Sequence, residues 1–251
     1  MIFQEDSKNI LSLAAPLLLL HLTVYFVHDY VNLFSLVPAN TLITRTYVWN
    51  LVSSSFFETN TIKLFLDLFF LGTISSQIKI FSYEQFFLYF IFSILACSAG
   101  TSLLSFLQFA IFGNEIVLVT PYYGFSGILM TLFMYCRQTM PNQSWQAKIP
   151  ILTYQYFPLV YLTFIGICSW LNILAHDFYF SFIAFFFSWS YLRFYYRYDD
   201  GNINPNSEEF AFISMFPEVC LLFLPFLFGL IPAFLVIEST HCHYSLLNSI
   251  L

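Results

Sequence analysis

Charge is scarce in this sequence. Only 9% of its 251 residues are charged, with eight basic and 14 acidic side chains, whereas 59% are apolar. A soluble domain of this length cannot bury so much apolar surface, because much of any folded surface must face water. The shortage of charge therefore excludes an ordinary soluble globular protein and indicates that lipid surrounds most of the chain.

Basic clusters and paired cysteines are also missing. No run of Lys or Arg is present, so nucleic acid is not an expected partner. The five Cys residues stand singly, and Cys97, Cys136 and Cys168 fall in predicted spans, where a thiol behaves as a small hydrophobe. We interpret the tripeptide 241–243 (His241, Cys242, His243) as a polar tail, because adjacent side chains seldom converge on one ion. We expect neither a metal nor a cofactor.

The sequence does contain a repeated apolar pattern. A bilayer core of about 30 Å requires about 20 apolar residues per helix. The pattern predicts an all-α membrane protein with six transmembrane helices, at about 10–27, 61–79, 86–106, 121–135, 149–171 and 177–195.

Polar segments divide the rest of the chain. The predicted regions are a cytosolic N-terminus at 1–9, a transmembrane domain at 10–197, a polar cytosolic loop at 198–218, a hydrophobic segment at 219–237 and a tail at 238–251. Pro225, Gly229 and Pro232 interrupt the hydrophobic segment. It therefore either spans as a seventh helix, re-enters the membrane or lies in the interface.

The distribution of basic residues predicts the orientation. With a cytosolic N-terminus and six crossings, the basic residues on the cytosolic side are Lys8, Lys79, Arg137, Lys148, Arg193 and Arg197. Arg45 and Lys63 then lie on the opposite side, which satisfies the positive-inside rule. The glycosylation sequon at Asn142 falls in a cytosolic loop and is expected to stay unmodified.

The sharpest motif is Gly124-Phe125-Ser126-Gly127, at the non-cytosolic end of the fourth span. Small residues beside a Ser permit the close backbone approach that an exposed nucleophile and its oxyanion pocket require. The same pattern is typical of a packing face between membrane helices. The motif by itself leaves both interpretations open.

The context of this motif resembles that of rhomboid intramembrane proteases. A loop containing Trp49-Asn50 precedes it, and Ala175-His176 lies at the start of the sixth span. In rhomboids a Ser on the fourth helix is activated by a His on the sixth, as in a catalytic triad. The resemblance implies Ser126 as nucleophile and His176 as general base, with Gly124 and Gly127 shaping the turn.

The register of the sixth span argues against that pair. At roughly 100° per residue, its small residues Ser181, Ala184 and Ser188 form one stripe. Seven positions before Ala184 stands Asp177, so His176 points roughly 100° away from the seam. Tyr179 and Ile183, three and seven positions after His176, are too bulky for close helix approach. We therefore interpret Ser126, Gly127 and the stripe as helix-packing residues.

A second rhomboid element also differs. The family's HxxxN motif on the second helix is replaced by Lys63 and Asp67. We expect these two residues to form an i, i+4 ion pair, partly near the membrane interface, that neutralises both charges. His21, in the first span, is expected to be a hydrogen-bonded packing residue.

Further sequence blocks narrow the family. Residues 188–195 with Arg197, 210–212, 216–218, 124–125 and 138–140 resemble the transmembrane protein 115 family of rhomboid-like Golgi proteins, over about Trp49 to Glu218. The signature residues are Trp189, Tyr191, Leu192, Arg193, Phe194, Tyr195, Phe210, Phe216, Pro217 and Glu218.

The resemblance implies a rhomboid-like bundle of six helices without proteolytic activity. It also implies a Golgi location, with the endoplasmic reticulum or another endomembrane as the alternative. Interaction with the conserved oligomeric Golgi tethering complex and a role in Golgi-to-ER retrograde transport follow in the same way. Two departures are a Ser at 126, where members commonly lack a nucleophile, and the absence of the long cytosolic tail of animal members. The alternative function is an active rhomboid-type serine protease that uses Ser126 and His176.

Overall fold

The computed structural model describes residues 10–26, 31–146, 149–171 and 177–196. Several features of interest lie outside these described residues: the predicted regions 198–218, 219–237 and 238–251, the signature residues Phe210, Phe216, Pro217 and Glu218, the tripeptide 241–243, and Lys8, Lys148, His176 and Arg197.

Helices form most of the described chain. They are α1 Ala14–Phe26, α2 Val31–Phe34, a π-helical turn Ala39–Thr44, α3 Asn50–Ser53, a 3-10 turn Ser54–Phe56, α4 Thr61–Ser75, α5 Tyr83–Phe112, α6 Ile116–Val119, α7 Ser126–Thr139, α8 Phe157–Trp170 and α9 Asp177–Phe194. Two short antiparallel strands, β1 Ser144–Gln146 and β2 Ile149–Thr153, form a hairpin between α7 and α8.

The described residues are largely helical, in agreement with the predicted all-α class, but the hairpin changes the predicted fifth span. The fifth span was expected to begin near Ile149, but that stretch is β2, and α8 begins only at Phe157. A short apolar run does not distinguish a strand from a helix by hydropathy alone. The chain turns at 154–156, and Pro158 then occupies the first turn of α8, where a missing N–H costs no hydrogen bond. By contrast, α9 has nearly the bounds predicted for the sixth span.

One described helix is long and apolar enough to cross a bilayer alone. This helix is α5, with 30 residues, or about 45 Å at about 1.5 Å per residue. Residues 14–23 of α1 and the whole of α8 form shorter apolar helices. The described structure is thus a largely helical, apolar bundle, and the six crossings remain a proposal.

Helix α7 is the centre of the bundle. Every side chain from Ser126 to Gln138 is buried, by contacts with α4, α5, α8 and α9. The surrounding helices instead expose large apolar side chains such as Phe65 on α4, Leu88 on α5 and Phe164 on α8. Many large apolar side chains on the exterior are unfavourable in water and suit a hydrocarbon environment.

The buried face of α5 is rich in small hydroxyl side chains. Ser93, Ser98, Thr101, Ser102 and Ser105 are all buried. Ser93 Oγ lies 3.3 Å from Ser188 Oγ of α9, which donates at 3.3 Å to Thr131 Oγ1 of α7. Small hydroxyl residues of this kind join helices in membranes because they allow close approach and hydrogen bonds between helices.

Gly100 on α5 and Gly127 on α7 leave space for large side chains of α9. A Cβ atom on Gly127 would lie 3.2 Å from Phe180 Cβ, and one on Gly100 would lie 2.8 Å from Ile183 Cγ2. Gly100 of α5 thus leaves the space that the Ile183 side chain of α9 fills. The stripe residues Ser181, Ala184 and Ser188 are fully buried on α9.

Candidate functional site

Ser126 is the first residue of α7 and is 0% exposed. Its hydroxyl donates to Asp177 at the start of α9, with Oδ1 at 2.9 Å and the backbone oxygen at 3.1 Å. As the helical register indicates, Asp177 faces the seam between the two helices. His176, the other member of the predicted catalytic pair, lies outside the described residues.

Gly124 makes room for the Asp177 carboxylate. Its φ of +153° is one that side chains rarely adopt, and a Cβ atom there would collide with Asp177 Oδ1. Its backbone N–H donates to the carbonyl oxygen of Ser54 at 3.1 Å, which fixes the turn before α7. The glycine of the motif is thus required by the neighbouring carboxylate.

Lys63 is the centre of a buried ion cluster. Its ammonium pairs with the carboxylates of Glu58 and Asp177, and it lies 3.6 Å from Asp67 Oδ2. All four side chains are buried. The expected Lys63–Asp67 pair is therefore present, but two further acids share the Lys63 ammonium, and all four charged side chains are buried within the protein.

Glu58 belongs to the cluster but was not among the predicted site residues. Its Oε1 accepts the backbone N–H groups of Thr59 at 3.0 Å and Asn60 at 3.1 Å, which orients the carboxylate. Asn60 then caps α4 by accepting from Ile62 N at 2.9 Å. One local feature of the sequence could have indicated Glu58: it is an acid five residues before Lys63, just outside the predicted second span.

His21 ties α1 to the same segment. Its Nδ1 lies 2.7 Å from the carbonyl oxygen of Glu58, and the side chain is buried. This geometry confirms the expectation of a hydrogen-bonded packing residue. The backbone that carries Glu58 is thereby held from outside the cluster as well as from within it.

Aromatic side chains cover the cluster beside the turn. The Tyr123 hydroxyl lies 3.1 Å from Thr59 Oγ1, and its ring packs edge-on against Phe57 with centroids 5.0 Å apart. The cover keeps the charged groups apart from bulk water.

This arrangement is poorly suited to nucleophilic catalysis. A general base needs a free lone pair directed at the nucleophile. The Lys63 ammonium is held between carboxylates, and the Asp177 oxygen that faces Ser126 is shared with that ammonium. Ser126 is also fully buried, so no substrate carbonyl can reach it without movement of the helices. The described residues contain no group of side chains suited to a metal ion.

The family-signature residues that the structure describes lie in, and just after, the last turns of α9. Leu192 is buried, and the ring of Tyr191 lies 5.6 Å from that of Tyr89 and 4.9 Å from that of Phe92. Phe194 and Tyr195 are strongly exposed. One part of the signature therefore packs the helix against α5, and the other faces outward.

Comparison with known proteins now identifies the family. The sequence model described as "Eukaryotic integral membrane protein" matches residues 11–238. The chain belongs to this family. Membership establishes contact with the lipid bilayer and agrees with the resemblance to the transmembrane protein 115 type.

One relative of this integral membrane protein carries a rhomboid-like name. "Rhomboid-like protein 19" of Arabidopsis thaliana is 26% identical over 233 residues, which cover 86% of this chain and 71% of that protein. No solved structure matches the chain. The rhomboid-like character of this membrane protein thus rests on sequence similarity.

Proposed function

We propose that the chain is a non-proteolytic rhomboid-like protein of the Golgi membrane, with a role in Golgi-to-ER retrograde transport or in Golgi organisation. The observation that supports the loss of proteolysis is the hydrogen bond of the buried Ser126 hydroxyl to Asp177. The carboxylate occupies the space in front of the hydroxyl that a substrate carbonyl needs.

The substitution of the oxyanion element supports the same proposal. Lys63 and Asp67 stand at the spacing of the rhomboid HxxxN motif, and both belong to the buried ion cluster. Loss of one oxyanion donor alone costs on the order of 10²–10³ in rate. The residues that would stabilise a transition state instead hold α4 to α9.

A serine-directed probe tests the proposal. A fluorophosphonate should not label Ser126 in membranes that contain the native chain, and Ser126→Ala should preserve stability and cellular function, because a smaller residue still fits the seam. Ser126→Leu should destabilise the bundle by about 1–3 kcal/mol through overpacking. Labelling that disappears in both Ser126→Ala and His176→Ala would establish the alternative, an active protease.

The proposed topology has six crossings and a cytosolic N-terminus. Two of the basic residues behind this orientation are buried in the structure: Lys63 in the ion cluster, and Arg137, whose Nε donates to Gln155 O at 3.0 Å. Arg193, in the last turn of α9, is half-buried. Arg193 stands at the predicted cytosolic end of the sixth span, so its charge offers a direct test of the orientation.

Charge reversal at Arg193 tests this topology. Arg193→Glu should reduce abundance or misorient α9, because a cation at the cytosolic end of a span is replaced by an anion. Protease protection of tagged termini measures the outcome, with the charge-preserving Arg193→Lys as the comparison. An N-terminus accessible only from the lumen would contradict the topology.

Localisation and partner form the remaining part of the proposal. The tagged chain should overlap with Golgi markers and co-purify with the conserved oligomeric Golgi complex, and its depletion should slow the return of a retrograde cargo. Residence confined to the endoplasmic reticulum, with unchanged retrograde transport after depletion, would contradict the assignment.

A further inference from the structure

The buried ion cluster contains more acid than base. Its members Glu58, Lys63, Asp67 and Asp177 are each at most 5% exposed. Three carboxylates therefore face one ammonium, which leaves two negative charges in excess when every acid is ionised. An uncompensated charge in a protein interior is so costly that the group takes up a proton instead.

Two of the three acids have donors that compensate their charge. The Glu58 carboxylate pairs with the Lys63 ammonium through Oε2, and its Oε1 accepts two backbone N–H groups at 3.0 and 3.1 Å. The Asp177 carboxylate pairs with the same ammonium and accepts the Ser126 hydroxyl at 2.9 Å. Donors of this kind favour the ionised form of a carboxyl group.

Asp67 differs from the other two acids because its Oδ2 has no donor. This atom lies 3.6 Å from Lys63 Nζ, beyond hydrogen-bond reach, and it has no hydrogen-bond partner although the side chain is only 2% exposed. A neutral carboxyl group tolerates such surroundings at far lower cost than a carboxylate does. A proton on Asp67 therefore relieves the excess charge without disturbing the contacts of Glu58 and Asp177.

The other titratable groups around the cluster do not replace that proton. Tyr161 of α8 and Tyr123 before α7 interact electrostatically with the acids, but a phenol supplies no positive charge in either protonation state. From α1, His21 directs Nδ1 to the backbone oxygen of Glu58 rather than to a carboxylate. The excess negative charge is thus left to the cluster itself.

We propose that the ion cluster is a proton-binding site, with one proton held on Asp67. The proton comes from water and returns to water, so no bond between heavy atoms changes. While it is bound, the Lys63 ammonium is left to Glu58 and Asp177, which ties the start of α4 to α9. Its release places a third negative charge beside the ammonium and weakens that attachment. This site does not depend on the proposed function.

Infrared spectroscopy of the full chain in phosphatidylcholine vesicles at neutral pH tests the proposal. A protonated Asp side chain has a C=O stretch distinct from the bands of a carboxylate, and isotopic labelling of the Asp side-chain carboxyl carbon separates it from Glu. The labelled band should be present in the native chain and in Glu84→Gln, which changes an exposed acid outside the cluster. It should be absent in Asp67→Asn. A band missing from the native chain, or unchanged in Asp67→Asn, would overturn the proposal.

The pH dependence of stability provides a second measurement. An Asp side chain in the unfolded chain is ionised above about pH 4, so at higher pH folding takes up the proton from water. From about pH 4 to the pH at which the folded chain also releases the proton, this uptake lowers the folded-to-unfolded ratio by up to about tenfold per pH unit. Asp67→Asn removes this contribution, because the Asn amide is neutral in both states.

Asp67→Asn should therefore become more stable than the native chain as pH rises to neutral, by up to about tenfold per pH unit in the folded-to-unfolded ratio. Thiols and phenols are the same in both chains, so the difference between them reports Asp67. Denaturant unfolding in detergent at a series of pH values measures this gain, and Glu84→Gln should show none of comparable size. Equal or lower stability of Asp67→Asn at neutral pH, or failure of this variant to fold, would contradict a proton on Asp67.

Discussion

Lys63→Met should destabilise the protein by about 3–5 kcal/mol, the largest effect that we expect from one substitution. The substitution leaves the carboxylates of Glu58, Asp67 and Asp177 buried around an apolar side chain. Removal of one partner from a buried ionic group costs far more than the net stabilisation of the intact group, because the remaining charges lose both water and counter-charge. The fraction of protein that remains folded after heating in detergent, measured by size-exclusion chromatography, compares the stability of the variant with that of the unchanged protein.

Two comparisons separate the charge effect from side-chain loss. Lys79→Met removes an exposed ammonium and should change stability by less than about 0.5 kcal/mol. Lys63→Met combined with Glu58→Gln, Asp67→Asn and Asp177→Asn should recover most of the loss, because neutral side chains of similar shape replace all the charges. A quadruple variant as unstable as Lys63→Met alone would show that packing, rather than charge, sets the cost.

Gly124→Ala is the second large effect, with an expected cost of roughly 3 kcal/mol. The added Cβ meets two obstacles. The backbone φ of +153° disfavours any side chain, and the carboxylate of Asp177 already fills the position of the methyl group. Displacement of that carboxylate also disturbs its contacts with Lys63 and with Ser126.

Gly113 provides the matched control. It follows α5 with a φ of +67°, and a Cβ atom there would meet nothing within 4 Å. Gly113→Ala should therefore show the backbone cost alone, about 1–2 kcal/mol. Equal losses in the two variants would contradict the carboxylate contact. A combined Gly124→Ala and Asp177→Ala variant should lose less than the sum of its single changes, since the clash is then absent.

The helical register read from the sequence predicted the position of Asp177 correctly. The spacing of Ser181, Ala184 and Ser188 placed Asp177, rather than His176, on the seam, and Ser126 donates to it there. Helical periodicity is a local property, so the face of a side chain follows from its neighbours in the sequence. Periodicity could not show which helix accommodates Ile183, because Gly100, which leaves the space for it, lies on another helix.

The sequence by itself determined the apolar character of the chain, the approximate positions of its long helices and its family. These properties follow from sums over short windows and from residue patterns, which need no knowledge of distant contacts. Tertiary structure alone decided that α7 is central, that residues 144–146 pair with residues 149–153 as strands and that Lys63 has Asp177 as a partner. Lys63 and Asp177 are separated by 114 residues. Their pairing depends on how α4 and α9 pack around α7, and no local pattern records that arrangement.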